Sequence, residues 1–177
     1  MKVGILTYFR ACNYGAYLQA CSLCNRLNLE EDIEAEVIDF RMEKERLNYS
    51  KKSWNVSRII KSPMKYFYFN NLVETFEKEH QRPLAPVSTP AICSDVSEAL
   101  RKMIQDRYEV VIVGSDEVWK TDGFRGFPNP YWLPFELNMK KVAYAVSSRS
   151  DFSALNEEKH NALHRYVNDF ELIGVRD

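Results

Sequence analysis

Within its first forty residues the chain passes from an apolar run, through an amphipathic stretch, to a second apolar run, and that order constrains the fold most. "KVGILTY" (2–8) is short, apolar and suited to a buried strand. From Gly15 to Leu29 the apolar residues Ala16, Ala20, Leu23, Cys24 and Leu27 recur at helical spacing. "AEVIDF" (35–40) is the second strand. A strand, a helix and a strand in that order form a crossover unit, which requires parallel pairing. The alternation returns later. "SDVSEALRKMI" sets Val96, Ala99, Leu100 and Met103 on one helical face, with Ser94 or Asp95 as its cap. "YEVVIVG" is a third strand and "KKVAYAVS" a fourth. "NEEKHNALHRYVNDF" is a helix with acids in its first turn, and "ELIGVRD" a fifth strand. The expectation is an α/β fold: a Rossmann-like, doubly wound parallel sheet of about five strands, ordered 2-1-3-4-5 with right-handed crossovers.

Residues 41–90 break this rhythm and are read as a helical insertion. Residues 41–65 carry eight Lys/Arg against two Glu. The clearest helix spans about 63–80, where Pro63 suits a first turn, and "RPLAPVSTP" closes the segment as a loop. The basic, aromatic 41–69 stretch reads as a solvated helix pair packed by its aromatics. Contact with phospholipid stays open, and no RNA-binding motif is present. The whole chain of 177 residues suits one domain. A net charge of −1 gives no global field for nucleic acid, and no apolar run spans a membrane. "MKVGILTYFRACNYG" lacks the long apolar region of a signal peptide, so the expected compartment is the cytoplasm, with the four cysteines reduced. Cys21 and Cys24 form a CxxC inside a helical pattern. With no second ligand pair, they read as small apolar groups.

In the expected strand order the topological switch lies between strands 1 and 3, and ligands bind beyond the carboxyl ends of the strands there. Three polar loops reach that edge: "TYFRACNYGA", "GSDEVWK" and "SSRSD". Asn13, Tyr14 and Gly15 open a helix whose positive end suits an anion, and Gly15 permits close approach to the backbone. Gly114 starts the second loop. Ser115 and Asp116 offer hydrogen bonds to sugar hydroxyls, and Trp119 a flat apolar face. Arg10 and Arg149 offer bidentate pairing with an anion. Each has a plainer reading: Asn13 and Asp116 as helix caps, Trp119 as packing, both arginines as solvated. The convergence of separate loops favours a site. Weaker patterns carry less. Ser115 lacks the second glycine of a nucleophile elbow. Asp39 ends strand 2, but no GxGxxG precedes it. His160 and His164 are four apart with no third ligand, so no metal site is expected.

Taken together, "NYGAYLQA" (13–20), "EVIDF" (36–40), "GSDEVW" (114–119), "KKVAYAVSS" (140–148) and "FELIGVRD" (170–177) resemble the polysaccharide pyruvyl transferase family. The resemblance implies transfer of pyruvate from phosphoenolpyruvate to a sugar of a cell-surface polysaccharide, leaving a ketal. It implies a two-lobed, glycosyltransferase-like (GT-B-like) architecture in which residues 1–177 form the N-terminal lobe and the second lobe is absent, either by excision or by natural truncation. The implied partners are phosphoenolpyruvate as donor substrate and a saccharide acceptor, with a lipid-linked acceptor, peripheral membrane contact and a homo-oligomer left open. No cofactor is implied. Asn13, Tyr14, Gly15 and Gln19 match the first motif. Gly114, Ser115, Asp116 and Trp119 match the second, and Arg176 the closing one. Glu117 stands where the family usually has glutamine, and Lys120 where it has asparagine. His80, His160 and His164 are placed on helical segments away from the crevice, which leaves no general acid and predicts an inactive isolated chain. Two further readings stay open: a truncated, non-catalytic binding or assembly module, and a glycosyltransferase-type enzyme acting on a nucleotide sugar.

Overall fold

The computed structural model describes residues 1–43, 56–93, 100–101, 104–105, 107–122, 125–133 and 135–176. Strands β1 (Lys2–Leu6), β2 (Glu34–Val37), β5 (Val110–Val113), β6 (Lys140–Val146) and β7 (Leu172–Val175) form one sheet. Its order is β2-β1-β5-β6-β7, and every pairing is parallel. This is the 2-1-3-4-5 arrangement expected from the alternation. Register is set along the apolar strands, with Val3 opposite Val110, Ile5 opposite Ile112 and Leu6 opposite Val113.

The central strands are apolar on both faces because both faces are covered. On one face Val3, Ile5 and Val110 pack with Phe9, Tyr17, Ala20, Cys21, Cys24 and Phe76. Helices α1 (Tyr14–Leu27) and α3 (Pro63–Glu79) supply this layer, and α2 (Val56–Lys61) precedes α3. On the other face Leu6, Val111 and Val113 pack with Leu100, Ile104, Trp119, Trp132 and Phe170. Helix α4 (Glu157–Asn168) adds Leu163, Tyr166 and Val167 there. Leu100, Arg101 and Ile104 are helical, while Ser94, Asp95, Val96, Ala99 and Met103 lie outside the described residues.

The second strand departs from its expected span. It ends at Val37, and Phe40–Met42 forms β3, which pairs with β4 (Ala91–Cys93) in a separate two-stranded parallel sheet. The cause is the returning chain. Val37 N–H donates to the Pro86 carbonyl, and Ser88 N–H donates to that of Val37, so residues 86–88 occupy the outer edge of β2. The insertion therefore contains helices, as expected, and also returns to the sheet edge within the segment read as a loop. Among the described residues, no helix is long and apolar enough to cross a membrane.

Candidate functional site

The loops after β1 and β5 meet at the carboxyl edge of the sheet. They bound a crevice of about 370 Å³ lined by Tyr8, Ala11, Cys12, Asn13, Asp116, Glu117, Lys120 and Arg125. A second recess of about 260 Å³ lies under Met42, Leu100, Pro130 and Tyr166. It is reached by neither motif, so the crevice at the strand ends is the better candidate.

Asn13 is the N-cap of α1. Its backbone is extended, and its side-chain Oδ1 accepts from Gly15 N–H at 2.8 Å and Ala16 N–H at 3.4 Å. These are the orphan donors of a helix start, so the cap takes the N–H groups that an anion would otherwise meet. Asn13, Tyr14 and Gly15 are all exposed, and Asn13 lines the crevice. Tyr14 rests on Phe76 of α3, with ring centroids 4.6 Å apart.

The loop after β5 is fixed at several points. Gly114 has φ of +105°, and a Cβ there would lie 2.4 Å from the Tyr144 carbonyl oxygen, so only glycine fits. Thr7 Oγ1 donates to the Ser115 carbonyl at 2.7 Å, and Tyr8 Oη to that of Glu117 at 3.0 Å. Ser147 N–H donates to the Asp116 carbonyl at 3.0 Å. Asp116 has φ of +124°, and its Oδ1 accepts from Glu117 N–H at 2.7 Å. Ser115 Oγ donates to Gln19 Oε1 at 2.9 Å, which joins "NYGAYLQA" to "GSDEVW" directly.

Three of the residues expected at the site sit differently from their functional reading. Trp119 is not a platform in the crevice: it is 6% exposed and stacks on Trp132 at 4.7 Å. Its Nε1–H donates to the Tyr131 carbonyl, and its edge meets Phe170, because the turn at Val118 and Trp119 points the indole into the core. Arg10 is engaged bidentately by Asp39: its Nε donates to Oδ1 at 2.7 Å, and its Nη2 pairs with Oδ2. That pairing accounts for the buried carboxylate of Asp39. Arg149 is 83% exposed, and its Nε lies 2.6 Å from Glu117 Oε1.

Sequence reasoning missed three residues at this edge. Lys120 reaches Glu117 Oε2 at 2.7 Å, and Arg125 lies over the Tyr8 ring, 4.1 Å from its centroid. Lys120 was legible only as a motif departure, and Arg125 carried no pattern at all. The third is His80, which does not line the crevice but packs beneath the loop after β1. Its Nε2 lies 3.1 Å from the Phe9 carbonyl oxygen in the loop after β1, and its ring packs against Phe9, Tyr17 and Phe76. Burial, aided by the Arg10 charge, lowers its pKa to about 4. His80 ends α3, and a helical pattern alone could not reveal that this end turns back under the loop. His160 and His164 stay on exposed positions of α4, with ring centroids 5.2 Å apart.

Glu117 is the electrostatic centre of the loop. Hydrogen bonding from Lys120 holds its carboxyl below the usual carboxylate range, and the Arg149 and Arg176 charges add to this. Arg176 Nη2 donates to Ser147 Oγ at 2.9 Å, so the closing motif also reaches this edge. Cys21 and Cys24 are buried thiols in the packed face of α1, and burial pushes Cys24 up to about 11. Among the described residues, no three His, Cys, Asp or Glu side chains are grouped to hold a metal ion.

The family model of the polysaccharide pyruvyl transferases matches residues 13–177, from the α1 cap to the last residue. The chain belongs to the polysaccharide pyruvyl transferase family. A search of curated proteins returns no match. The matched span contains Asn13, Asp116, Glu117, Lys120 and Arg125 of the crevice, while Tyr8, Ala11 and Cys12 precede it.

Proposed function

We propose that this chain supplies the N-terminal lobe of a GT-B-like enzyme that transfers pyruvate from phosphoenolpyruvate to a sugar of a cell-surface polysaccharide, as a ketal. The observation that carries the reading is the family match over residues 13–177, which include most of the residues lining the crevice. In such a transfer one sugar hydroxyl adds to the enol carbon of the donor while a proton goes to its methylene, which becomes a methyl group. A second hydroxyl then displaces phosphate and closes the ketal. The reaction needs a base for the hydroxyls, an acid for the methylene, cations for the phosphate and carboxylate, and exclusion of water. In this reading the crevice contributes acceptor contacts from Ser115 and Asp116. Lys120, Arg125 and Arg149 contribute positive charge. The acceptor is a polysaccharide or its precursor, and the compartment is the cytoplasm.

A second reading is a binding or assembly module with no turnover of its own, and the state of His80 favours it. Among the described residues no histidine lines the crevice, and His80, which packs at the Phe9 carbonyl with a pKa of about 4, is not an acid at neutral pH. One experiment separates the two. The chain is incubated with phosphoenolpyruvate and an oligosaccharide acceptor, and phosphate release is followed together with mass spectrometry of an acid-labile pyruvate adduct. Matched phosphate and ketal support the transferase. Saturable binding of phosphoenolpyruvate without phosphate release supports a transferase lobe that needs its second lobe for turnover, and no response to phosphoenolpyruvate supports the module. A response to nucleotide sugars alone contradicts both.

A further inference from the structure

Cationic side chains from three successive strand-end loops surround a single carboxylate at the crevice. Lys120 follows β5, Arg149 follows β6 and Arg176 follows β7. Lys120 Nζ lies 2.7 Å from Glu117 Oε2, Arg149 Nε lies 2.6 Å from Oε1, and the charge of Arg176 also acts on Glu117. Three positive charges therefore act on the Glu117 carboxylate, which shares the crevice wall with Asp116, while Lys120 also acts on Asp122. We propose that Glu117 is an internal stand-in for a ligand phosphate, and that a phosphate-bearing ligand binds by displacing its carboxylate from Lys120 and Arg149.

Two features make displacement feasible. The backbone of Glu117 is held independently of its side chain, since Asp116 Oδ1 accepts from its N–H and Tyr8 Oη donates to its carbonyl. The side chain can therefore leave by rotamer change while the loop stays in place. Glu117 is also partly accessible, with 20% of its side chain exposed, and Arg149 lies almost wholly in solvent. The charge balance selects the ligand. A monoanionic carboxylate entering in place of Glu117 would restore the same pairing and gain little. A phosphate brings nearly two charges and three acceptor oxygens, which match a lysine and an arginine fork together. Glu117 thus lowers affinity for weakly bound anions and favours doubly charged ones, because binding requires the fraction of molecules in which the carboxylate has moved aside.

The inference rests on the same crevice as the proposed transferase but does not depend on turnover. Its test is calorimetric titration of the full chain with inorganic phosphate at constant ionic strength, with acetate as the carboxylate control. Glu117→Gln should bind phosphate roughly fivefold to tenfold tighter, on the expectation that the wild-type carboxylate is paired most of the time, while acetate binding should stay weak. Lys120→Met in the otherwise wild-type chain should lose most phosphate binding, and this second variant decides the matter if Glu117→Gln does not fold. Unchanged or weaker phosphate binding in folded Glu117→Gln, or full phosphate binding in Lys120→Met, overturns the proposal and leaves Glu117 as a loop strut. Acetate binding as strong as phosphate overturns the choice of ligand. Because the probe is phosphate alone, the charge exchange can hold even if no pyruvate is ever transferred, and phosphoenolpyruvate turnover can occur with Glu117 playing no part.

Discussion

The two motif loops that meet at the crevice are built in opposite ways. The loop after β1 ends in a helix cap whose residues Asn13, Tyr14 and Gly15 are all exposed and tied mainly to one another and to α3. The loop after β5 is anchored to the loops after β1 and β6, to Gln19 and to the aromatic core through Trp119. One wall is accessible and locally held, and the other is a frame that only a few residues can satisfy. Motif residues can therefore have different duties. Gly114 and Trp119 give the second loop its shape. Ser115, Asp116, Glu117 and Lys120 are the groups that shape presents.

Substitutions should divide along the same line. The largest effect belongs to the frame: Trp119→Ala removes a buried indole from between Trp132 and Phe170 and should cost about 3–5 kcal/mol in urea unfolding. Gly114→Ala puts a methyl against the Tyr144 carbonyl at a positive φ and should cost about 3 kcal/mol in the same measurement. If either variant is as stable as the wild type, the contrast between frame and mouth fails.

His80 comes next, because it couples the mouth to α3. Its folded pKa of about 4 lies below the ordinary 6.5, so the unfolded chain takes up the proton first as pH falls. This contribution is complete above about pH 6.5 and is lost as pH falls toward about 4. Between pH 7.5 and 4.5 the loss should be about 2–3 kcal/mol. His80→Gln should remove that part of the pH dependence, as seen in unfolding curves at the two pH values. The smallest effect belongs to the mouth: Asn13→Ala deletes the cap of α1 and should cost about 1 kcal/mol by thermal unfolding.

The sheet was legible because its strands are short apolar runs separated by helical periodicity, and parallel pairing follows from that spacing alone. The strand order held down to the position of the switch. The end of β2 was not legible, since Val37 stops there only because residues 86–88 return to its edge, a contact about fifty residues away. Site residues were legible as places along the chain and not as directions in space. Asn13 could be read as a cap from its position before α1. Nothing in "GSDEVW" tells the indole of Trp119 to turn inward while Glu117 turns outward. That choice is made by Trp132 and Phe170, from other parts of the chain. Arg10 faced the same limit, because its partner Asp39 lies between β2 and β3, about thirty residues away.

Amide chemical-shift mapping of the isotope-labelled chain during titration with phosphoenolpyruvate tests the assignment of the crevice most directly. The shifts should concentrate at residues 13–16, 115–120 and 147–149, with the amino edge of the sheet and the exposed face of α4 unmoved. Shifts centred elsewhere, such as on His160 and His164 or around the recess under Tyr166, would contradict it.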